Sequence, residues 1–312
     1  MANELDLVVA GSGIAGLTAA LTGARAGLRT LILTGEMLGG QLLSINEIDG
    51  LPGFETPAAG YDFCPITQEL AVAAGAELVA TTLDAIAPAD GQWRLKAGDG
   101  NDYLARGLVL ATGAELRKLG IPGEERLFGK GVSHCASCDA PLLKGKDAVV
   151  IGGGDSAAQE ALTLAQTCAR VTILHRGAAM SAQQAYRDRV TQQENIVIRY
   201  RHLAEEILGT SGVEAVRARD DAAGTTADIP ADGVFVYIGL APNTGFLSDR
   251  IALDGDGRIP TDVAMRTVAT GICAAGAVRS LWPGRAAASA GDGATAALAM
   301  RDYLCQDRWR DG

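Results

Sequence analysis

Leu5-Asp6-Leu7-Val8-Val9-Ala10-Gly11-Ser12-Gly13-Ile14-Ala15-Gly16 is an apolar run that passes without a break into three spaced glycines. The run predicts a buried parallel strand, and the pattern Leu17 to Ala26 predicts the helix that follows it. In that context the glycines form a dinucleotide fingerprint: Gly11 allows a tight turn, Gly13 lets backbone N–H groups approach a pyrophosphate, and Gly16 lets helix and strand pack closely. Gly11, Ser12, Gly13, Ile14, Ala15 and Gly16 are therefore candidate cofactor contacts. The next strand, Thr30 to Leu33, ends at Thr34-Gly35-Glu36, where Glu36 could meet ribose hydroxyls; a solvated turn residue is the alternative.

The same grammar recurs about one domain's length later. Ala148 to Ile151 predicts a strand, and Gly152-Gly153-Gly154-Asp155-Ser156-Ala157 opens a helix running to about Cys168. Gly152, Gly154, Asp155 and Ser156 are the contacts expected there. The following strand, Val171 to Leu174, ends in His175-Arg176 rather than in Asp or Glu, and a basic end suits a 2′-phosphate, hence NADPH over NADH. Two fingerprints imply two dinucleotides and an α/β chain of two Rossmann-like three-layer nucleotide-binding domains.

Between the fingerprints, Gly39-Gly40-Gln41-Leu42 offers a second close backbone approach, and Ile48-Asp49-Gly50-Leu51-Pro52-Gly53 predicts a turn-rich loop. A helix is expected near Asp62 to Ala74, with strands near Glu77 to Thr82 and Trp93 to Ala97. The strand Leu108 to Gly113 ends in the small residues Ala111-Thr112-Gly113, which leave room for a flat ligand. Beyond the second fingerprint, Asn195 to Ala218 has strand-like stretches, and the chain between Ala178 and Arg189 is polar and helical in pattern. The strand Gly233 to Ile238 runs into Gly239-Leu240-Ala241-Pro242-Asn243-Thr244, a loop expected to cross back to the first domain. Thr270 to Gly276 and an Ala-rich helix to about Leu304 then complete that domain. The second domain is thus inserted in the first: residues 1–116 and 244–312 form the first nucleotide-binding domain, and residues 117–243 form the second, which carries the cysteines described next.

Ser133-His134-Cys135-Ala136-Ser137-Cys138-Asp139 holds the only close cysteine pair. Two cysteines separated by two residues at a helix start can close a small disulfide, and the positive end of the helix lowers a thiolate pKa. Asp139 follows directly and could give or take the proton that thiol-disulfide exchange requires. A zinc site would need two further ligands, and His134, His175 and His202 have no ligand spacing while Cys64, Cys168, Cys273 and Cys305 stand apart, so no metal is expected.

The 312 residues suffice for two domains of ordinary size. With 27 basic against 37 acidic side chains the net charge is −10, which disfavours a nucleic-acid partner. No basic start, apolar core and cleavage site marks the first residues, and no apolar run approaches the ~20 residues that span a bilayer, so the expectation is a cytoplasmic protein without membrane attachment. In that reducing compartment a Cys-x-x-Cys pair is a catalytic element rather than a staple.

In combination these motifs resemble the low-molecular-weight thioredoxin reductase family. The features that carry the resemblance start at Gly11, Gly39, Ala111, Cys135, Gly152, His175, Gly239 and Ala274, in the family's order, and cover nearly the whole chain. The resemblance implies a homodimeric flavoprotein that binds FAD in the discontinuous lobe and NADPH in the inserted one, with a rotation of the latter between half-reactions. It implies that Cys138 faces the flavin, that Cys135 attacks the external disulfide, and that Asp139 is the acid/base. It also adds Gly40, Gln41, Leu42, Ala111, Thr112, Gly113, Gly276, Ala277, Arg285, Ala286 and Ala287 as FAD contacts. The departures are specific. Gly177 and Ser181 stand where the family carries further arginines, and Ala277 replaces an aspartate that bonds the flavin side chain. Arg285-Ala286-Ala287 replaces Arg-Gln-Ala, Arg279-Ser280-Leu281-Trp282 is unfamiliar, and Gly50-Leu51-Pro52 lacks the usual Asn-Trp.

The expected activity is electron transfer from NADPH through FAD and the Cys135/Cys138 disulfide to a thioredoxin-like protein or a small-molecule disulfide. Two alternatives stand beside it: a flavin-dependent dithiol oxidase, or reductase with a non-nicotinamide donor, and a flavin-binding redox sensor.

Overall fold

The computed structural model describes residues 5–45, 47, 48, 51, 58–306 and 309, apart from the side chains of Ser248 and Asp249. The chain start at Met1 to Glu4 and the turns expected at Asp49-Gly50 and Pro52-Gly53 lie outside these residues. The chain forms two compact units, Met1–Glu115 with Ala241–Gly312, and Leu116–Leu240.

The first unit starts with strand β1 (Leu5–Ala10), helix α1 (Ile14–Arg25) and strand β2 (Thr30–Leu33), followed by α2 (Gly60–Ala73) and β3 (Glu77–Val79). A meander of β4 (Leu83–Ala89), β5 (Gln92–Ala97) and β6 (Asp102–Leu110) follows, and β7 (Ala114–Leu116) leads out of the unit. The strand order is β3-β2-β1-β6-β5-β4. β1 lies parallel to both neighbours, Val9 opposite Ile32 and Val109, whereas β4, β5 and β6 are antiparallel. Alternation along each strand sends Leu7, Val9 and Val109 to one face and Val8, Leu108 and Leu110 to the other. The order of connection reverses between β1 and β6, since β1 leads to β2 and β3 on one side and β6 lies on the other, so a crevice opens beyond their carboxyl ends, at Gly11 and Ala111.

The second unit contains β8 (Val132–Ser133), the short helix α3 (Ala136–Asp139), β9 (Asp147–Gly152), α4 (Asp155–Ala165), β10 (Arg170–His175), α5 (Gln184–Thr191) and β11 (Ile196–Tyr200). Three antiparallel strands follow, β12 (His202–Leu208), β13 (Ala215–Asp220) and β14 (Thr225–Pro230), and then β15 (Gly233–Tyr237). β11-β10-β9-β15-β8 is a parallel sheet. Val150, Ile173 and Phe235 pack under α4 and α5, while Val149, Leu174, Val234 and Val236 pack against the β12-β13-β14 sheet. The middle strands are buried on both faces, which is why β9 and β15 read as continuous apolar runs. Here the reversal falls between β9 and β15, where Gly152 and Tyr237 end the two strands side by side.

β16 (Leu240–Pro242) pairs with β7 as the chain returns, β17 (Ile272–Ala274) adds to β6 with Cys273 opposite Val109, and α6 (Ala286–Gln306) covers the face that carries Leu7. Both units are three-layer α/β structures of the Rossmann-like kind.

Three differences from expectation bear on the sites. β6 begins at Asp102 and stops at Leu110, so Ala111 to Gly113 is a turn beyond the strand. β4 was not foreseen, because Leu83 to Ala89 is interrupted by Asp84 and Pro88. Residues 176–183 form a loop, and helix starts only at Gln184. The N–H groups of Ser181 and Ala182 both bond the Gly153 carbonyl, which holds the loop down across the chain and withdraws those donors from a helix.

Candidate redox site and nucleotide cradles

Cys135 and Cys138 form a disulfide with their Cα atoms 5.3 Å apart. Cys135 is the N-cap of α3: its backbone N–H donates to Ser133 Oγ at 3.0 Å, and its Sγ accepts from Cys138 N–H at 3.3 Å with Ser137 Oγ 3.4 Å away. Donors converging on one sulfur favour its thiolate. Cys138 is exposed, Cys135 is half-buried, and Asp139 ends α3 with its N–H bonded to the Cys135 carbonyl. His134 packs on Phe128 with ring centroids 5.5 Å apart; its Nε2 is buried without a partner, and burial pushes its pKa down. It is thus a packed ring, with burial disfavouring its charged form. Among the described residues no group of three or more His, Cys, Asp or Glu side chains could hold a metal ion.

In the first unit, Gly11 lies at φ +106°, and a Cβ there would fall 2.2 Å from the Ala111 carbonyl oxygen. Gly13, the N-cap of α1, faces open space, and α1 has no acidic residue in its first turn. That opening in front of free helix N–H groups fits the pyrophosphate of FAD. Ser12 is 2% exposed and points inward, donating to the Thr34 carbonyl at 2.7 Å and accepting from Gly39 N–H at 3.2 Å. Its side chain fastens the fingerprint to the Gly39-Gly40 turn. Glu36 is exposed just past β2. Gln41 donates to the Ala114 carbonyl, and Thr112 and Gly113 are tied to Asn243 by three hydrogen bonds of 2.8 to 3.0 Å. Gly276 N–H donates to Asp292, whose carboxylate also takes the Arg279 guanidinium at 2.6 and 2.8 Å. Ala277 presents only its carbonyl, to Arg258. Arg285, Ala286 and Ala287 form the entry to α6.

In the second unit, Gly154 is the N-cap of α4, and Asp155 accepts from Gln183 N–H at 2.7 Å and from its side-chain amide at 2.9 Å. Ser156 is exposed one position further on. His175 lies between two glycines: a Cβ on Gly153 would come within 2.2 Å of the ring and one on Gly177 within 2.6 Å, and its Nε2–H donates to the Ala179 carbonyl at 2.8 Å. Gly177 therefore makes room for the ring, and the ring's donor is spent on the loop. Arg176 stays exposed. Arg187 of α5 reaches back to the same loop, with Nη1 at 3.5 Å from the Met180 carbonyl and Nε buried without a partner.

Three features escaped the sequence reasoning. The buried Arg279–Asp292 pair joins the unfamiliar segment to α6, and the visible signal was an Asp inside an Ala/Gly-rich helix, where a carboxylate has no solvated face. Trp282 Nε1–H donates to Ser289 Oγ at 2.8 Å, so the segment is anchored. Glu160 of α4 is the third: burial pushes its carboxyl up to about 7. Its signal was its place on the same helix stripe as Ala157, Ala161 and Leu164.

Among the described residues no helix is long and apolar enough to cross a membrane. Residues 5–293 match the model of the pyridine nucleotide-disulphide oxidoreductase family. Thioredoxin reductase of Treponema pallidum is 39% identical over 304 residues, covering 97% of this chain and 98% of the relative, and that of Peptoclostridium litorale is 36% identical over 312 residues at the same coverage. The crystal structure of Lactococcus lactis thioredoxin reductase in its FR conformation superposes with a TM-score of 0.93 at 35% identity, covering 97% of this chain and 99% of that one. The chain therefore belongs to the pyridine nucleotide-disulphide oxidoreductase family and is an FAD-dependent NAD(P)H disulfide oxidoreductase of the thioredoxin reductase type.

Proposed function

We propose that the chain carries electrons from NADPH through FAD to the Cys135–Cys138 disulfide and from there to the disulfide of a thioredoxin-like protein, the discontinuous unit holding FAD and the inserted unit the nicotinamide nucleotide. The observation that carries this reading is the Cys135–Cys138 disulfide at the head of α3, with Asp139 beside it and a second glycine cradle in the same unit. Bound FAD supplies the two-electron chemistry that no side chain can.

The residues do the rest. Two electrons break the Cys135–Cys138 bond and leave a thiol and a thiolate once one proton has arrived. The thiolate rests on Cys135, which the Cys138 N–H favours. Cys135 then attacks the incoming disulfide and the departing sulfur takes a proton from Asp139; Asp139 recovers a proton from the Cys138 thiol, the Cys138 thiolate attacks the Cys135 sulfur of the mixed disulfide and re-forms the Cys135–Cys138 bond, and the second departing sulfur takes a proton from solvent to complete the dithiol product. Exposed Tyr61, Ile66, Leu70 and Val72 on α2 support self-association as a homodimer.

One observation favours a second reading. His175 is spent on Ala179, and Gly177 and Ser181 supply no cation for a 2′-phosphate, which favours a donor other than a nicotinamide, in the limiting case a small dithiol that reduces the cysteines themselves while the reduced flavin passes electrons to another acceptor.

Half-reactions separate the possibilities. Cys135→Ser and Cys138→Ser should each lose at least about a thousandfold in disulfide turnover while the flavin still bleaches anaerobically with the donor. A Cys135→Ser enzyme with normal turnover refutes the site. Bleaching by dithiols but by neither nicotinamide selects the second reading.

A further inference from the structure

The two sulfurs of the redox pair stand in different surroundings. Cys135 is the N-cap of α3, and its Sγ takes the place of a capping oxygen by accepting the Cys138 N–H at 3.3 Å. Ser137, two residues on, puts its Oγ 3.4 Å from the same sulfur. A disulfide sulfur carries no hydrogen, so the Ser137 hydroxyl is the donor of that contact. Ser133 Oγ accepts the Cys135 N–H at 3.0 Å and fixes the backbone that carries the sulfur. Among the described residues nothing donates to Cys138 Sγ, and Cys138 is exposed to solvent instead.

That asymmetry decides where charge settles when the disulfide opens. Cys138 has water around it, whereas Cys135 is half-buried, and burial alone would leave the thiolate to Cys138. Among the described residues no cation bonds Cys135 Sγ. The titratable groups on the elements around α3 are acids: Asp139 of α3 itself, Asp155 and Glu160 of α4, and Tyr237 of β15. The turn Ala140–Leu143 has none before the exposed Lys144, and burial disfavours the charged form of His134, which senses Glu124 and Lys118. At four residues α3 is too short for more than a slight dipole. Two donors are left to hold the charge. The Cys138 N–H is common to any residue at that position, and the Ser137 hydroxyl belongs to this side chain.

Resting on the proposed function for Cys135 as the attacking sulfur, we propose that the Ser137 hydroxyl holds the thiolate of Cys135, and so sets both the reactivity of that sulfur and the reduction potential of the pair. In the step itself two electrons from the flavin, supplied by the established activity, and one proton from solvent break the S–S bond. The products are the Cys138 thiol and the Cys135 thiolate. The Ser137 O–H stays in place and its bond strengthens, because a hydrogen bond to an ionised acceptor is about twice as strong as one to a neutral acceptor. The reduced pair is therefore stabilised more than the disulfide, which becomes easier to reduce. Ser137 moves no proton; Asp139 remains the group that serves the external disulfide.

Cys135 is read alone in a Cys138→Ala background, which keeps the backbone N–H and adds no hydroxyl. In the FAD-loaded protein, alkylation by iodoacetamide is followed against pH by peptide mass, with the exposed Cys305 in a separate peptide as reference thiol. Ser137→Ala and Ser137→Val should move the Cys135 midpoint up by about half to one pH unit, or about three- to tenfold in thiolate below it. Ser137→Thr should keep the wild-type midpoint. With both cysteines present, Ser137→Val should shift the equilibrium with dithiothreitol about three- to tenfold toward the disulfide above both midpoints, about 15 to 30 mV at about 30 mV per tenfold, and hardly below them. A wild-type midpoint in Ser137→Ala or Ser137→Val overturns the proposal. So does a Ser137→Thr midpoint displaced as far as that of Ser137→Val, since these two side chains share a shape and differ in the hydroxyl; this pair decides the matter should Ser137→Ala fail to fold. Cys135→Ser tells the two failures apart: normal disulfide turnover there refutes the redox pair itself, whereas lost turnover there with unmoved Ser137 midpoints refutes the role of Ser137 alone.

Discussion

At the scale of the residue, the half-buried carboxyl of Glu160 has an energetic signature of its own. Its pKa in the folded chain is about 7, above the ordinary 4.5, so in the window between these values the folded state holds a proton that the unfolded state has released. Stability contributed by the protonated form is therefore complete below about 4.5 and is lost as pH rises toward 7. Glu160→Gln should leave stability unchanged at acid pH and raise it by about 2 to 3 kcal/mol above pH 7, as read from urea midpoints on both sides of the window. Equal effects at both ends would show that the carboxyl titrates as in water. The same residue marks a limit of sequence reasoning. The cysteine pair was legible because two rare residues at fixed spacing admit few chemistries, whereas a glutamate in a helix reads as solvated until the buried faces of its neighbours are known. His175 was legible as a basic strand end but not as a ring wedged between Gly153 and Gly177, because the space that seats it is created by absent side chains.

At the scale of the element, the proposed function gives the choice of nucleotide to the loop over residues 176–183. Its course depends on two N–H groups bonding the Gly153 carbonyl and on Arg187 reaching Met180, contacts to backbone atoms that no side-chain pattern encodes. Hence polar periodicity suggested helix where the chain is looped. Arg176 is the exposed cation of the strand end, and one partly solvated contact is worth about 1 to 2 kcal/mol, so NADPH should be preferred over NADH by about ten- to thirtyfold. Arg176→Ala should bring the ratio near unity in stopped-flow reduction. Arg187→Ala loosens the loop instead and should weaken both nucleotides together; a selective loss of NADPH in that variant would make Arg187 a phosphate ligand. The Arg279–Asp292 pair is the other element-scale device. Both side chains are nearly buried, at 13% and 7% exposure, and Asp292 also satisfies Gly276 N–H. Asp292→Ala strands a guanidinium and should cost about 3 to 5 kcal/mol in chemical denaturation, while replacing both partners by apolar residues should cost far less.

At the scale of the whole molecule, the connectivity was the most legible property, since two strand–glycine–helix signals and a late Ala-Ala-Gly segment leave few ways to thread two sheets. The chain leaves the first unit after Glu115 and re-enters it at Ala241, and β17 then takes its place beside β6. What the pattern did not reveal is what the returning segment places around Ala277. A carboxylate is present on α6, at Asp292, but Arg279 and Gly276 N–H consume it, and Ala277 offers only a carbonyl already bonded to Arg258. FAD should therefore be retained through the Gly11 to Gly16 cradle with one contact fewer than a family member that carries the aspartate. Ala277→Asp restores an acceptor for the flavin side chain and should tighten FAD binding by about fivefold to a hundredfold, the equivalent of about 1 to 3 kcal/mol, measured by flavin fluorescence during titration of the apoprotein. The wild-type protein should itself purify yellow or take up added FAD. Failure to bind FAD at all would overturn the cradle, whereas an Ala277→Asp affinity equal to wild type would mean that the backbone at Gly276 and Ala277, held by Asp292 and Arg258, does not lie along the flavin side chain.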